Sequence, residues 1–184
     1  LLVVSIITTS LVSVGLQPAP AYAQAAEEII VDAWPPGVEI AYTVDPSASP
    51  WAVELLEAAY DYGLTYPGVM SGFGTPIARE EFCTIVVLLY EKLAGTTVEA
   101  GVSPFTDTSN PEIIKAAQLG IVMGMGEGLF MPTRQITRQD ITVMILRALR
   151  KALSELDDRT DGPFPFVDAG QIGAWAQEAM RFCY

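Results

Sequence analysis

The amino-acid sequence predicts an all-α, mostly helical fold made of tandem helix–loop–helix repeats. The first observation is a repeated motif, because residues 77–82 (IAREEF) match residues 136–141 (ITRQDI) at an offset of 59. The second is the apolar spacing i, i+3, i+4, i+7, i+11 within each following segment, which places the apolar side chains on one helix face. The third is a pair of glycines, Gly63 and Gly120, that end matching helical patterns 57 residues apart.

The N-terminal stretch predicts export of the chain. Residues 1–16 are almost wholly apolar or small, and Ala-Tyr-Ala at 21–23 has the small-x-small pattern at which signal peptidase cuts. We therefore expect a signal peptide over residues 1–23, with an N-terminal membrane anchor as the alternative. No later stretch is apolar and long enough to span a bilayer, so no membrane span is expected after signal removal. Residues 24–44 are predicted to be a linker, because they contain Trp-Pro-Pro-Gly, which argues against a long helix.

The first predicted repeat covers residues 45–95. The segment from Trp51 to Tyr62 is expected to be a helix that Gly63 stops. A glycine-rich loop follows, in which glycines permit tight turns. The second helix of this repeat begins after Ala78, whose side chain has no oxygen, so its N-cap is expected to be lost.

The second predicted repeat covers residues 104–153 and carries stronger signals. Asn110 is a suitable N-cap for its first helix, and Pro111 suits the first helical position. Its second helix is expected to start at a capping box formed by Thr137 and Asp140. The glycine-rich loop between the two helices lacks the Lys-Ser/Thr ending of a phosphate-binding P-loop.

A third repeat is predicted only in part, over residues 165–184. The tripeptide Phe-Val-Asp at 166–168 matches Phe-Thr-Asp at 105–107, and the Trp-Ala pair at 175–176 matches that at 51–52. The loop and the second helix of this repeat are missing from the sequence. We therefore expect the sequence to be cut at both ends, with the third repeat truncated.

Charge and composition narrow the possible functions. The net charge is −12, and all charged residues follow residue 23, so nucleic acid is not an expected partner. Binding of an anionic polymer would need a local cluster of arginines. There is no histidine, and the two cysteines, Cys83 and Cys183, form neither a disulfide framework nor a metal site. We expect both cysteines to be small buried hydrophobic residues, no metal site and no cofactor.

An ordered set of motifs in the second repeat identifies a family resemblance. The set is Phe-Thr-Asp at 105–107, Leu-Gly-Ile-Val at 119–122, Phe-Met-Pro at 130–132 and Ile-Thr-Arg-Gln-Asp at 136–140. It resembles the S-layer homology domain of bacterial cell-surface proteins, and the resemblance extends over roughly residues 45–184. It implies a pseudo-threefold helical body whose inter-repeat grooves bind secondary cell wall polysaccharide, often pyruvylated. That binding would hold an exported protein non-covalently on the cell wall or surface layer.

The resemblance predicts the residues that contact the polysaccharide. A guanidinium can meet the carboxylate of a pyruvylated sugar with two parallel hydrogen bonds, aspartates can accept from sugar hydroxyls, and tryptophans offer flat apolar faces. Two arginines are also expected at helix N-termini, which favour anions. The predicted ligand-binding residues are Arg138, Thr137, Asp107, Arg79, Asp45, Trp51, Asp168 and Trp175.

Each of these residues has a simpler structural alternative. The arginines could pair near the surface with Glu81 and Asp140, and the threonine could serve only as a helix cap. Asp107 and Asp168 could be turn or cap residues. The tryptophans could belong to the core. The first repeat departs from the family pattern, since it has Ala78 where the second has Thr137 and lacks a Phe-x-Pro segment. The groove of the second repeat is therefore the expected binding site.

Three functions follow from these observations. The first is an anchor that binds a secondary cell wall polysaccharide and is not an enzyme. The second is an adaptor or self-assembling surface-layer component, which docks other S-layer homology or surface-layer proteins without binding a glycan. The third is the targeting module of a larger wall-active enzyme, although no pair of carboxylates stands out in a pocket-like context.

Overall fold

The structure is a computed structural model that describes residues 44–158, 160, 164 and 166–184. The predicted signal peptide and residues 24–43 of the predicted linker lie outside the described residues. The all-α prediction is confirmed, because the described part of the chain contains α-helices and no strand. The helices are α1 (Val53–Asp61), α2 (Arg79–Ala94), α3 (Pro111–Gln118), α4 (Arg138–Ala152) and α5 (Gln177–Phe182). No helix of the described residues is apolar and long enough to cross a membrane.

Helix α1 is shorter than the sequence predicts. A 3₁₀ turn, Pro50–Ala52, precedes it, and the α-helix itself starts at Val53 rather than at Trp51. Proline fixes φ at the start of this turn and has no N–H to satisfy. The helix ends just before Gly63, which adopts the left-handed φ of +64° that stops helices.

Helix α2 keeps half of a capping box although Ala78 precedes it. The carboxylate of Glu81 accepts the Ala78 backbone N–H at 2.7 Å, so one of the unpaired donors at the helix start is satisfied. The prediction that this cap is lost is therefore wrong for the Glu81 half and right only for the missing side-chain oxygen of Ala78. Gly95, with φ of +63°, ends the helix.

Helices α3 and α4 begin as predicted. The side chain of Asn110 accepts the Glu112 N–H at 3.0 Å at the start of α3. At the start of α4, Thr137 Oγ1 accepts the Asp140 N–H at 3.2 Å, and the Asp140 carboxylate accepts the Thr137 N–H at 3.0 Å. This reciprocal pair is the predicted capping box.

The core forms two clusters along the helix contacts. Helix α2 packs against α3 and α4, and the larger cluster lies among these helices and the loop that carries Phe130. Phe130 and Ile113 are fully buried there, as is Cys83. The smaller cluster joins α4 to α5. Cys83 is the buried hydrophobic residue that we predicted, whereas the prediction is wrong for Cys183, which is exposed; both thiols are free.

The backbone repeats its turn geometry at the two offsets found in the sequence. Gly63 and Gly120 both have positive φ, +64° and +74°. In the loops, Gly72 and Met131 stand 59 residues apart and also share positive φ, +66° and +60°. The backbone is therefore alike at these points although one position holds glycine and the other methionine. The pseudo-threefold arrangement and the repeat boundaries remain predictions.

The loop that ends the second glycine-rich segment docks on the start of α2. Ala78 and Gln135 form an isolated antiparallel bridge. The N–H of Arg79 donates to the Arg134 carbonyl at 2.8 Å, and the N–H of Glu80 donates to the Pro132 carbonyl at 2.9 Å. The N-terminus of α2 is thus occupied by protein carbonyls, so the expectation that it offers free N–H groups to an anion is wrong.

Candidate functional site

A groove runs between the start of α4, the loop after α3 and the segment that leads to α5. It consists of two cavities of about 130 Å³ and about 550 Å³, which share Met125, Asp140 and Trp175 in their walls. Polar and apolar side chains converge here. In a small helical protein such a concave surface is the default binding site.

Arg79 forms the inner wall of the smaller cavity and is 6% exposed. Its Nη2 donates to the Met123 carbonyl at 2.9 Å, and its Nη1 lies 3.9 Å from the carboxylate of Asp140. The guanidinium carbon stands 4.6 Å from the centre of the Phe130 ring, a cation–π distance. The predicted surface pair with Glu81 is absent among the contacts of Arg79, since Glu81 caps its own helix.

The burial of Arg79 has an electrostatic cost. Burial lowers the pKa of its guanidinium, and the nearby Asp140 carboxylate opposes that shift. Arginine remains protonated in proteins even so. Its Nε is buried and has no hydrogen-bond partner among the described residues. An unpaired buried donor costs about 1–3 kcal/mol, so this wall of the groove holds an unsatisfied positive group.

Two further arginines line the groove. Arg147, from α4, is partly exposed and donates through Nη1 to the Ile121 carbonyl at 3.3 Å. Arg134 lies at the larger cavity and is exposed, with Nη1 3.4 Å from the Met125 sulfur. A guanidinium has five N–H donors. Both side chains therefore keep donors free for a ligand.

The groove is locally positive in an acidic protein. Arg79, Arg134 and Arg147 line it, and Asp140 is the carboxylate among the same lining residues. The groove lining thus holds the local cluster of arginines that binding of an anionic polymer would need, although Arg134 and Arg147 were not predicted from the sequence. Such a cluster gives an anion a favourable site within an otherwise repulsive field.

Part of the groove lining is apolar and open to solvent. Met123 is 62% exposed, Met125 is 44% exposed and Trp175 is 60% exposed. The indole of Trp175 supplies a flat apolar face next to the guanidinium groups. The alternative that Trp175 belongs to the core is wrong.

Gln139 holds the outer edge of the groove together. Its Oε1 accepts the Gly173 N–H at 2.8 Å, and its Nε2 donates to the Gln171 carbonyl at 3.5 Å. These bonds attach the segment before α5 to the first turn of α4. They fix the position of Trp175, two residues after Gly173.

Thr137 and Arg138 lie at the start of α4 with different environments. Thr137 lines the larger cavity, and its hydroxyl is engaged with Asp140 in the capping box. Arg138 is exposed and makes no hydrogen bond or ion pair with another described residue. It is absent from the lining of both cavities, and its predicted pairing with Asp140 is not formed. Its role in binding stays a prediction.

The predicted aspartates brace loops. Asp107 accepts the N–H groups of Phe130 at 2.9 Å and Met131 at 2.8 Å, and these bonds lower the pKa of its carboxyl group. Asp45 accepts from the hydroxyl and the N–H of Ser47, which likewise lowers its pKa.

Two predicted residues lie apart from the groove lining. Asp168 is exposed and precedes the 3₁₀ turn Ala169–Gln171, where its carbonyl accepts the Gln171 N–H at 2.8 Å. Trp51 is 77% exposed at the start of α1, so the alternative that places it in the core is wrong. Among the residues that the structure describes, no cluster of three or more acidic or cysteine side chains could hold a metal ion.

The structure adds residues that the sequence analysis missed. Arg147 follows Asp140 by seven residues, so helical spacing alone places both on one face of α4 and could have indicated it. Arg134 lies between the Phe-Met-Pro and Ile-Thr-Arg-Gln-Asp motifs, and no spacing rule indicated a role for it. Met123 and Met125 sit in the glycine-rich loop, where we considered only the glycines.

Comparison with known proteins supports the resemblance seen in the sequence. Residues 102–142 match the model of the S-layer homology domain family. This match includes Asp107, the loop with Met123 and Met125, Arg134 and the start of α4. No curated protein and no solved structure matches the chain. Residues 102–142 therefore correspond to an S-layer homology domain, a kind of module that anchors proteins at the cell surface and is a binding rather than a catalytic unit.

Proposed function

We propose that the chain anchors an exported protein to the cell wall by binding an anionic secondary cell wall polysaccharide, one that carries pyruvate ketals, in the groove beside α4. The observation that carries this proposal is the cluster of Arg79, Arg134 and Arg147 along one groove of a protein with net charge −12. Such a cluster is costly to build without an anionic ligand, because like charges repel and one guanidinium is buried.

The chemistry of a ketal-linked pyruvate fits this wall of the groove. Its carboxylate can accept paired, charge-assisted hydrogen bonds from a guanidinium. Arg147 and Arg134 are the accessible donors, while the buried Arg79 adds a fixed positive charge behind them. We assign recognition of the anion to these three residues. Arg138, which is exposed at the start of α4, adds a further positive charge.

The apolar wall fits the sugar ring to which the carboxylate belongs. One face of a pyranose is formed by C–H groups, and the exposed indole of Trp175 offers a matching surface. The side chains of Met123 and Met125 are flexible and polarizable, so they can adapt to the ring. Sugar and anion would thus be held by neighbouring side chains of one groove.

Export belongs to the same proposal. The apolar residues 1–16 and the Ala-Tyr-Ala site at 21–23 support removal of a signal peptide and release to the wall. Other S-layer homology or surface-layer proteins are the proposed neighbours there.

The test is co-sedimentation of the chain with purified cell walls. Arg147→Gln and Arg134→Gln should each weaken binding by about tenfold or more, because each removes a charge-assisted contact worth about 1.5–3 kcal/mol. Lys151→Gln is the matched control, since Lys151 is exposed on the same helix outside the groove lining. It removes the same charge and should leave binding unchanged.

Chemical removal of pyruvate from the walls tests whether the pyruvate carboxylate is the group that the chain binds. We expect it to abolish binding of the unaltered chain. An equal loss of binding in Lys151→Gln would mean that the net charge of the chain, rather than the groove, controls binding. Full binding by Arg147→Gln and Arg134→Gln together with loss in Arg138→Gln would move the site to the exposed start of α4. Binding that survives all of these changes would favour the adaptor function.

A further inference from the structure

The exposed methionines of the chain are gathered in one loop. The sequence has six methionines, and three of them, Met123, Met125 and Met131, lie between α3 and α4 with their side chains exposed. The other three are buried or packed against a core cluster, namely Met70, Met144 and Met180. Solvent therefore reaches thioether groups chiefly in this loop, beside the groove.

Met125 differs from Met131 in its contacts although the two side chains are almost equally exposed, at 44% and 42%. Met125 lines both cavities of the groove, and its sulfur lies 3.4 Å from Nη1 of Arg134. Met131 is absent from the lining of both cavities. The two residues thus form a matched pair with the same chemical group, similar access to solvent and different positions relative to the groove.

An exposed thioether is open to oxidation by hydroperoxides. The sulfur attacks one oxygen of the peroxide, so that an S–O bond forms while the O–O bond breaks. Sulfur loses two electrons to the peroxide, and the proton on the transferred oxygen passes to the leaving oxygen, which departs as water when the oxidant is hydrogen peroxide. The product is methionine sulfoxide, a polar side chain in place of an apolar one.

At Met125 the new oxygen forms beside a guanidinium. A thioether sulfur is a weak acceptor and engages Arg134 only weakly, whereas a sulfoxide oxygen accepts a charge-assisted hydrogen bond from it. The sulfur already lies at hydrogen-bonding distance from Nη1, and the flexible methionine side chain can direct the oxygen to that donor. Arg134 then has fewer donors for a ligand, and the groove lining has lost an apolar side chain.

We propose that Met125 is an oxidation site through which a hydroperoxide weakens binding in the groove, because its sulfoxide engages Arg134. The effect on binding rests on the function proposed above, whereas the engagement of Arg134 by the sulfoxide does not. The modification is reversible, since methionine sulfoxide reductases return the sulfoxide to the thioether.

The first test needs no ligand. Hydrogen peroxide is added to the Cys183→Ser chain, which lacks the exposed thiol, and peptide mass spectrometry measures the sulfoxide at each methionine. Met125 and Met131 should oxidise at similar rates, and about tenfold or more faster than the buried Met70 and Met144, because oxidation follows exposure.

Phenylglyoxal, which modifies accessible guanidinium groups, then reports the state of Arg134. After peroxide treatment its modification should slow by about threefold or more, because the sulfoxide oxygen occupies its donors. Met131→Leu should show the same slowing and Met125→Leu should show none, since leucine keeps the apolar volume and has no sulfur. Arg138, which is exposed and outside the groove lining, is the internal standard.

Co-sedimentation with purified cell walls measures the effect on binding. Each variant, in the Cys183→Ser background, is compared with its own untreated form. Peroxide should weaken binding of the Cys183→Ser chain and of Met131→Leu by about fivefold or more, because a charge-assisted contact is lost. It should leave binding by Met125→Leu unchanged. Treatment with the two methionine sulfoxide reductases, one for each sulfoxide epimer, should restore binding.

Each contrary result overturns the proposal. Oxidation of Met125 no faster than that of Met144 would do so, as would unchanged reactivity of Arg134 after Met125 is oxidised. A loss of binding that persists in Met125→Leu would assign the effect to Met123, the other exposed methionine in the lining. Walls that never bind the unoxidised chain would overturn the function proposed above and with it the effect on binding, while phenylglyoxal would still decide whether the sulfoxide engages Arg134.

Discussion

The first and second units of the chain share a backbone pattern and differ in what fills it. Both have a glycine with positive φ after their first helix and a second positive φ in the loop, at Gly72 and Met131. Yet α3 buries Ile113 and Ile114, while α1 buries no residue. Turn geometry is therefore similar in the two units, whereas only the second unit buries residues of its first helix. Local backbone signals and core packing are separate properties of a repeat.

Loop bracing differs between the units in the same way. In the second unit the Asp107 carboxylate bonds directly to two loop N–H groups that lie 23 and 24 residues later. In the first unit Asp45 binds Ser47, and the Ser47 hydroxyl accepts the N–H of Phe73 at 2.9 Å. The long-range bracing thus passes directly through a charged carboxylate in one unit. In the other it passes mainly through a hydroxyl, with a weaker direct contribution from the Gly72 N–H to Asp45. Direct charge-assisted bonds are the stronger kind.

The largest expected difference concerns the loop residue under the groove. Phe130 is fully buried, and its counterpart 59 residues earlier, Ser71, is exposed. Phe130→Ala should lower the free energy of unfolding by about 3–5 kcal/mol, because it leaves a cavity and removes the ring beneath Arg79. Ser71→Ala should change it by less than about 0.5 kcal/mol. Denaturant titration of both variants measures the contrast, and similar effects would mean that the units share the core equally.

A smaller and opposite pair of effects is expected at the positive-φ loop positions. Gly72→Ala should destabilise the chain by about 1 kcal/mol, since a side chain in left-handed backbone is strained. A Cβ at Gly72 would lie 3.7 Å from Thr75 Oγ1, an ordinary contact, so strain rather than a clash is the cause. Met131→Gly should instead stabilise by about 0.5 kcal/mol, because it relieves that strain at some entropic cost. Thermal unfolding of the two variants measures the signs, and a destabilised Met131→Gly would show that its side chain contributes more than the strain.

The smallest effect is expected in the acid dependence of stability. The pKa of Asp107 is lowered in the folded chain by hydrogen bonds from Phe130 and Met131. Its stabilising contribution is therefore complete above the unfolded pKa of about 3.9 and is lost as the pH falls through the lower folded pKa. Asp107→Asn should lower the melting temperature at pH 7 and leave it nearly unchanged near pH 2.

Asp45→Asn provides the comparison for that measurement. The pKa of Asp45 is also lowered, chiefly by the Ser47 hydroxyl and least by the distant Gly72 N–H. Its main bonds, to Ser47, span two residues only. We expect a smaller loss of melting temperature at pH 7 than for Asp107→Asn. Equal losses would contradict the view that direct bracing distinguishes the second unit.

The groove illustrates how far side-chain roles could be predicted. Thr137 and Asp140 follow a local rule, so their capping box was predicted correctly. Arg79 was recognised as a charge of interest, but its side chain is buried against Met123, Phe130 and Asp140, which are distant in sequence. Arg147 and Trp175 meet at the groove only because α5 packs on α4.

The sequence by itself determined the all-α class, the helix starts at Asn110 and Thr137 and the helix-ending glycines, because caps and periodicity act within a few residues. Tertiary structure alone decided that Arg79 is buried, that Asp107 braces a loop and that Trp51 is exposed. Those outcomes depend on contacts between segments more than 20 residues apart or on the absence of such contacts in the described chain. No local pattern encodes the desolvation or pairing of a charged side chain in that setting, since both depend on which distant surface covers it.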